Sequence, residues 1–162
     1  MRIVLLSMRP EGWNLIRTGK KIYEYRKRFI KNEKVMAFLY LSRPVSAISG
    51  IIYMDKAIEL SDWKNKYHDD ICLKNRIESY LSRGNKVVMP VISYQETSKI
   101  ESDYIKKKLG RFTVPQGFYY LENSELLELL NKELVLQPEI RTPNILFDSK
   151  NEICKDYGLR MK

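Results

Sequence analysis

Lys21, Glu24 and Arg26 stand close together in a stretch that reads GKKIYEYRKR from residue 19 to residue 28. An amine beside a carboxylate is a pair that can pass a proton, and a guanidinium next to both suits phosphate, because its planar fork matches two phosphate oxygens. Since catalytic constellations are rare, the default reading of the same groups is a partly exposed ion pair that orients Arg26. Arg9 and Arg28 add two more guanidinium groups suited to phosphate, Lys20 adds an ammonium, and Tyr23, Tyr25 and Tyr40 add rings of the kind that stack on unpaired bases. The chain has eleven tyrosines, too many for all to be platforms, so core packing is the first expectation for these three.

Such groups work only if the backbone aims them. If residues 21–28 are extended, Ile22, Glu24, Arg26 and Arg28 share one face, while Lys21, Tyr23, Tyr25 and Lys27 share the other. Lys21 and Glu24 would then point apart, unless Lys21 still belongs to the preceding loop. Around this stretch the pattern predicts a buried strand at 2–7 and a short helix at 10–18 with Pro10 in its first turn and Gly19 as a left-handed cap. Further strands are expected at 35–41 and across 46–60, where Gly50 marks a bulge or a close approach. A helical region follows from Ser61 or Asp62 to Ser82, stopped by Gly84, and then a strand at 86–94 in which Pro90 calls for an edge or a bend. A helix at 101–109 ending at Gly110 and a strand at 117–121 complete the expected core. Asn123 or Ser124 caps an acidic amphipathic helix to about Glu133, and the rest, with Pro138 and Pro143, reads as an extended tail. Many strands with a few short helices make this an α+β chain built on a small, strongly curved sheet.

The 162 residues, 44% hydrophobic and 30% charged, suffice for one domain with a real core, or one domain plus a small addition. The net charge of +9 is concentrated. Residues 1–28 hold eight basic side chains (Arg2, Arg9, Arg17, Lys20, Lys21, Arg26, Lys27, Arg28) against Glu11 and Glu24, so eight minus two, or +6, is two-thirds of the total. A localised positive field attracts polyanions, whereas a solvated basic face would only aid solubility. The early apolar run, residues 3–6, is too short for a signal-peptide core or a membrane span, so the default address is the cytoplasm and no membrane partner is expected. Two cysteines, Cys72 and Cys154, form neither a disulfide framework nor a C-x-x-C zinc pair and read as plain thiols. The single histidine, His68, sits beside Asp69 and Asp70, a grouping that more often caps a helix than holds a metal; no metal and no cofactor are expected. Lys106, Lys107 and Lys108 with Arg111 either extend the basic surface or form a solvated helix end.

Three blocks go further than class: LLSMRPEGWNLIRTGKKIYEYRKR at 5–28, YLSRPVSAISG at 40–50 and GRFTVPQGFYYL at 110–121. Together, in this order, they resemble the ASCH domain family, a branch of the PUA-like superfamily of small β-barrels associated with RNA. The resemblance spans roughly residues 2–121, about three-quarters of the chain. It implies a PUA-like small twisted β-barrel with peripheral short helices over residues 1–121, and a C-terminal helix and extended tail over 122–162. It also implies a cleft near Ser7, Arg9 and Pro10, near Gly19, Lys21, Glu24 and Arg26, and near Pro115 and Gln116. A strand at the mouth of a cleft can aim charged groups at a ligand while its other residues pack. Gln116 would then either read a base edge or hold a turn. Some relatives deacylate acetylated cytidine with a Lys, a Thr three positions later as nucleophile, and a distant Glu; others are linked to ribonuclease activity.

The sequence thus reads as a module that binds nucleic acid, RNA in preference to DNA, in a basic cleft made by Arg9, Lys20, Lys21, Arg26, Arg28, Tyr40 and Gln116, with a nucleotide or nucleoside as a smaller possible ligand. The rivals are an enzyme acting on RNA or a modified nucleoside, ribonuclease or amidohydrolase-like, with Lys21 and Glu24 as the working groups, and a protein-interaction domain docking through the acidic helix. Here the Lys of the hydrolase relatives matches Lys21, but their nucleophile position holds Glu24, and a carboxylate does not replace a hydroxyl as an ordinary acyl acceptor. Purified protein is therefore expected to leave acetylcytidine intact in a chromatographic assay; robust turnover that is lost in Lys21→Ala would overturn this.

Overall fold

The structure is a computed structural model and describes residues 1–141. It begins with strand β1 (Arg2–Met8) and helix α1 (Pro10–Arg17). Pro10 suits the first turn of α1, where its missing N–H loses no helical bond, and Gly19, at φ 74°, turns the chain just past the end. Next come β2 (Tyr23–Arg26), β3 (Val35–Leu41), β4 (Ala47–Met54) and β5 (Ile58–Glu59). Helices α2 (Leu60–Lys66) and α3 (Ile71–Ser82) precede β6 (Val87–Gln95) and β7 (Ile100–Glu101). Helix α4 (Ser102–Leu109), β8 (Phe118–Tyr120), α5 (Glu125–Glu133) and β9 (Ile140–Arg141) complete the described chain.

The strands form one curled, mixed sheet in the order β2-β6-β4-β3-β1-β8, with β5 and β9 pairing to β6 and β7 to β4. Only β1 and β3 run parallel, in register from Arg2 with Val35 to Met8 with Leu41. Alternation along each strand divides the side chains between the two faces of the sheet. Val4, Leu6, Met8, Leu39, Ile52, Met89 and Val91 gather inside the curl, where Trp13 and Ile16 of α1 plug the core. Gly50 makes room for that plug: a β-carbon there would lie 2.7 Å from the Trp13 ring, and its φ of 95° already favours glycine. On the outer side, α4 and α5 bury Ile105, Leu126 and Leu130 against Leu5, Phe38 and Ile48. Helices α2 and α3 lay Trp63, Leu73 and Ile77 over Tyr23, Tyr25 and Val88. The α+β class and the small, strongly curved sheet expected from the sequence are what the chain forms, here curled into a half-barrel.

Three details depart from the sequence reading, and a fourth settles an alternative it left open. The helical region expected as one piece is two helices, because the Asp70 side chain accepts a hydrogen bond from the Leu73 amide (3.2 Å) and starts α3 afresh. The strand expected across 46–60 stops at Met54 and resumes as the short β5. Of the edge or bend expected at Pro90, the structure has the bend: it sits inside β6, where the strand changes partners from β2 on its early residues to β4 on its later ones. A residue without an N–H is tolerated at that bend, and its carbonyl still accepts from the Asp55 amide at 2.9 Å. Cys72, finally, is disulfide-bonded rather than a plain thiol; Cys154 and Pro143 lie outside the described residues. No described helix is long and apolar enough to cross a membrane.

Leu130 is 1% exposed and locks α5 onto the sheet. Leu130→Ala is expected to cost about 2–5 kcal/mol of stability through lost burial and the cavity left behind, read as a lower urea midpoint with unchanged slope. A loss below about 0.5 kcal/mol would place α5 outside the cooperative core.

Candidate functional site

Past α1, the amides of Lys20 and Lys21 both bond to the Leu15 carbonyl, at 2.9 and 3.0 Å, and fold the chain back toward the sheet. Lys21 is therefore in the loop, and the extended alternation starts only at Tyr23. The outer face of β2 is taken by tyrosines: Tyr23 meets Trp63 edge-on with ring centres 5.0 Å apart, and Tyr25 stacks on Tyr80 at 3.8 Å. With the aromatic rings committed outward under α2 and α3, Glu24 and Arg26 must point into the curl. Their backbone partners, Met89 and Val87, face that same inner core.

Inside, Glu24 is 5% exposed. Arg26 Nε donates to its Oε1 at 2.9 Å, and Lys21 Nζ lies 3.0 Å from Oε2. The Lys21 contact is ionic rather than an aligned hydrogen bond, since Oε2 finds no donor in good geometry. Burial pushes the Glu24 carboxyl upward, but the charges of Lys21 and Arg26, with the Arg26 hydrogen bond, outweigh that and hold it below the usual carboxylate value. The Arg26 guanidinium then reaches across the opening of the barrel, where Nη2 donates to the Ser7 carbonyl at 2.7 Å. This bond ties one end of the strand order to the other. Strand β8 covers β1 only from Val4 to Leu6; one residue further on, the Ser7 amide donates to the Gly117 carbonyl at 2.8 Å, and the Ser7 carbonyl is left for Arg26.

The other residues singled out from the sequence are placed as follows. Gln116 is exposed on the bend beside Gly117, so Ser7 connects it to Arg26. Arg9 precedes α1, half-buried, and Arg28 is exposed just beyond β2; neither forms an ion pair among the described residues. Lys20 is exposed beside Lys21. Tyr40 is 5% exposed and packs against Phe112 in the outer core, 5.5 Å between ring centres, as Tyr23 and Tyr25 also pack. The structure thus brings Lys21, Glu24, Arg26 and the Gln116 bend together around Ser7, while Tyr40 is committed to packing.

Counting charge along the first 28 residues missed two carboxylates from further along the chain that neutralise early cations. Arg2 bonds to Glu122 at 2.7 Å and lies 3.9 Å over the Tyr120 ring, and Arg17 bonds to Glu96 at 2.9 Å. Lys21 and Arg26 are likewise held on Glu24. Nothing local in the sequence marks Glu96 or Glu122, which come from 79 and 120 residues away. His68 contacts Asn65 and Asp69 at the surface, and no cluster of metal-binding side chains occurs among the described residues. A groove of about 620 Å³ lies elsewhere, between Leu109, Phe112, Tyr119 and the start of α5 at Ser124, and none of the Glu24 cluster lines it.

Glu24→Gln leaves Lys21 and Arg26 close together without their anion, and is expected to cost about 3 kcal/mol at neutral pH. Because the folded carboxyl titrates below its ordinary 4.5, this stability is complete above that value and is lost as pH falls through the lowered one. Urea unfolding of both proteins should show the gap closing as pH drops below 4.5; a gap that stays constant would mean Glu24 is not held ionised. Glu122, held down to about 2 by its bond to Arg2, gives the wild-type protein a second loss in the same direction between 4.5 and about 2, which Glu122→Gln should remove.

No family model matches the chain, and no curated protein matches it. Solved structures do. The chain is similar to ASCH from Zymomonas mobilis at 21% identity and a TM-score of 0.59, over 80% of this chain and 94% of that one. It is similar to a serine-to-alanine variant of the same protein at 21% identity and a TM-score of 0.61 (81% and 96% covered), and to a tyrosine-to-phenylalanine variant at 20% and 0.59 (81% and 98%). The fold that carries the Lys21–Glu24–Arg26 cluster is the ASCH fold.

Proposed function

We propose that this protein is a cytoplasmic module that binds nucleic acid, RNA in preference to DNA, at the barrel opening where Arg26 crosses to Ser7. One observation carries the reading. Of the five N–H donors of the Arg26 guanidinium, Nε is used by Glu24 and one Nη2 hydrogen by Ser7, and no group among the described residues takes the Nη1 pair. The group is thus held from two sides, partly exposed, with donors left over in the planar arrangement that fits phosphate oxygens. Two cations around one carboxylate leave the cluster formally +1, and Arg9 and Arg28, without carboxylate partners among the described residues, stand two residues past Ser7 and Arg26 in the chain. The ASCH fold fits this reading.

Binding is favoured over catalysis by the chemistry of Glu24. A general base works best with a proton affinity near the working pH, whereas this carboxyl is held low and clamped by two cations. It positions Arg26 rather than accepting a proton. An enzyme acting on RNA or a modified nucleoside would need Glu24 freed from one of those cations.

The test is single-stranded RNA binding as a function of salt. A plot of log affinity against log salt should be linear, with a slope of about 0.7 per phosphate contact. Arg9→Ala and Arg28→Ala should each lower it by about that amount. Arg26→Lys keeps the charge but loses the fork, so affinity should fall with little change in slope. Gln116→Ala, if its amide reads a base edge, should behave the same way. Unchanged affinity and slope after replacing Arg9 and Arg28 together, with Arg26→Lys also silent, would mean the opening is only a charged surface.

A further inference from the structure

Beyond β2 the chain continues into Lys27 and Arg28, both exposed, and the turn between α3 and β6 brings Arg83 and Lys86 alongside, also exposed. The two segments are joined by the backbone: the Lys86 amide donates to the Arg26 carbonyl at 2.9 Å. Arg26 lies opposite Val87 in this antiparallel pair, so one step further places Lys27 opposite Lys86. The Lys27 side chain lies across Gly84, where a β-carbon would come 3.2 Å from its Cε and where φ is 92°. None of the four cations forms an ion pair among the described residues. The acid that the sheet brings nearest, Glu59, aligned with Val87 through β5, is taken by Lys31 at 2.6 Å. Like charges facing each other across a strand pair cost stability, and no acid of the described chain offsets them.

We infer that Lys27, Arg28, Arg83 and Lys86 form a phosphate track continuous with the barrel opening, so that the ligand is a single-stranded polynucleotide running from Arg26 over the α3–β6 turn rather than an isolated nucleoside or nucleotide. This rests on the reading above, and adds to it the length of the ligand and its direction of travel. The four exposed groups of the track are all cations, which contact phosphate rather than read base edges, so they supply affinity without sequence preference. Arg83 and Lys86 lie far from residues 19–28 in sequence and reach them only through the pairing of β6 with β2.

The experiment compares a labelled ten-nucleotide RNA of random sequence with mixed ribonucleoside monophosphates, using wild type, Arg83→Ala/Lys86→Ala and a charge-matched control, Lys107→Ala/Lys132→Ala, on α4 and α5. For the decamer, Arg83→Ala/Lys86→Ala should lower the salt slope by about 1.4, two contacts at about 0.7 each, while the control leaves it unchanged. Monophosphate binding should be weak and identical in all three proteins. Circular dichroism confirms that each variant is folded. If wild type binds the decamer and Arg83→Ala/Lys86→Ala keeps its full slope, the track is refuted while the function proposed for the opening stands. If the control lowers the slope equally, net charge rather than a track is responsible and the inference fails. If wild type binds no decamer at all, both readings fail. Phosphatidylserine vesicles captured through Arg83 and Lys86 in place of RNA would also overturn it.

Discussion

A curled sheet with β2 at one end of its strand order and β1 and β8 at the other must be held across the gap, and the bond from Arg26 to the Ser7 carbonyl does this. The reach of Arg26 depends on Glu24, whose carboxylate fixes the Nε side of the guanidinium and is itself kept ionised by Lys21 and Arg26. Breaking such a nearly buried pair costs far more than a surface ion pair contributes, because the remaining charges lose both partner and water. The same constraint that closes the barrel therefore leaves a fixed guanidinium at its mouth with donors to spare.

The geometry is set from the outside of the sheet. Tyr23 and Tyr25 are bound under Trp63 and Tyr80, so the inward direction of Glu24 and Arg26 follows from aromatic packing one residue away. On the inner side, Trp13 fits against Gly50 and holds α1 in place, and the turn after α1 delivers Lys21 to Glu24. The charged stretch is a strand with aromatic outer positions and ionic inner ones, which is why neither of its faces reads as ordinary core.

Much of this was legible in the sequence where the signal is local. Gly19, Gly84 and Gly110 end their helices in left-handed conformations, Ser124 caps α5, and residues 35–41 are β3 without adjustment. The three residues of the cluster were also identifiable, because their types sit close together. What could not be read is what depends on distant chain: that Arg26 would meet Ser7 rather than solvent, that Glu96 and Glu122 would neutralise Arg17 and Arg2, and that Arg83 and Lys86 would lie beside Lys27. Pro90 could be read only as an edge or a bend for the same reason, since the choice depends on the register, which shows that β6 changes partners there.

Arg26 is fixed by Glu24 and Ser7 without any ligand, and in the function we propose its remaining donors meet phosphate. Side-chain nitrogen NMR of the arginines tests it most directly. A slowly exchanging Arg26 Nε–H signal is expected in the free protein at neutral pH, with the Nη signals shifting on addition of single-stranded RNA while Nε stays in place. An Nε–H exchanging as fast as those of the exposed arginines, with Nη signals indifferent to RNA, would contradict it.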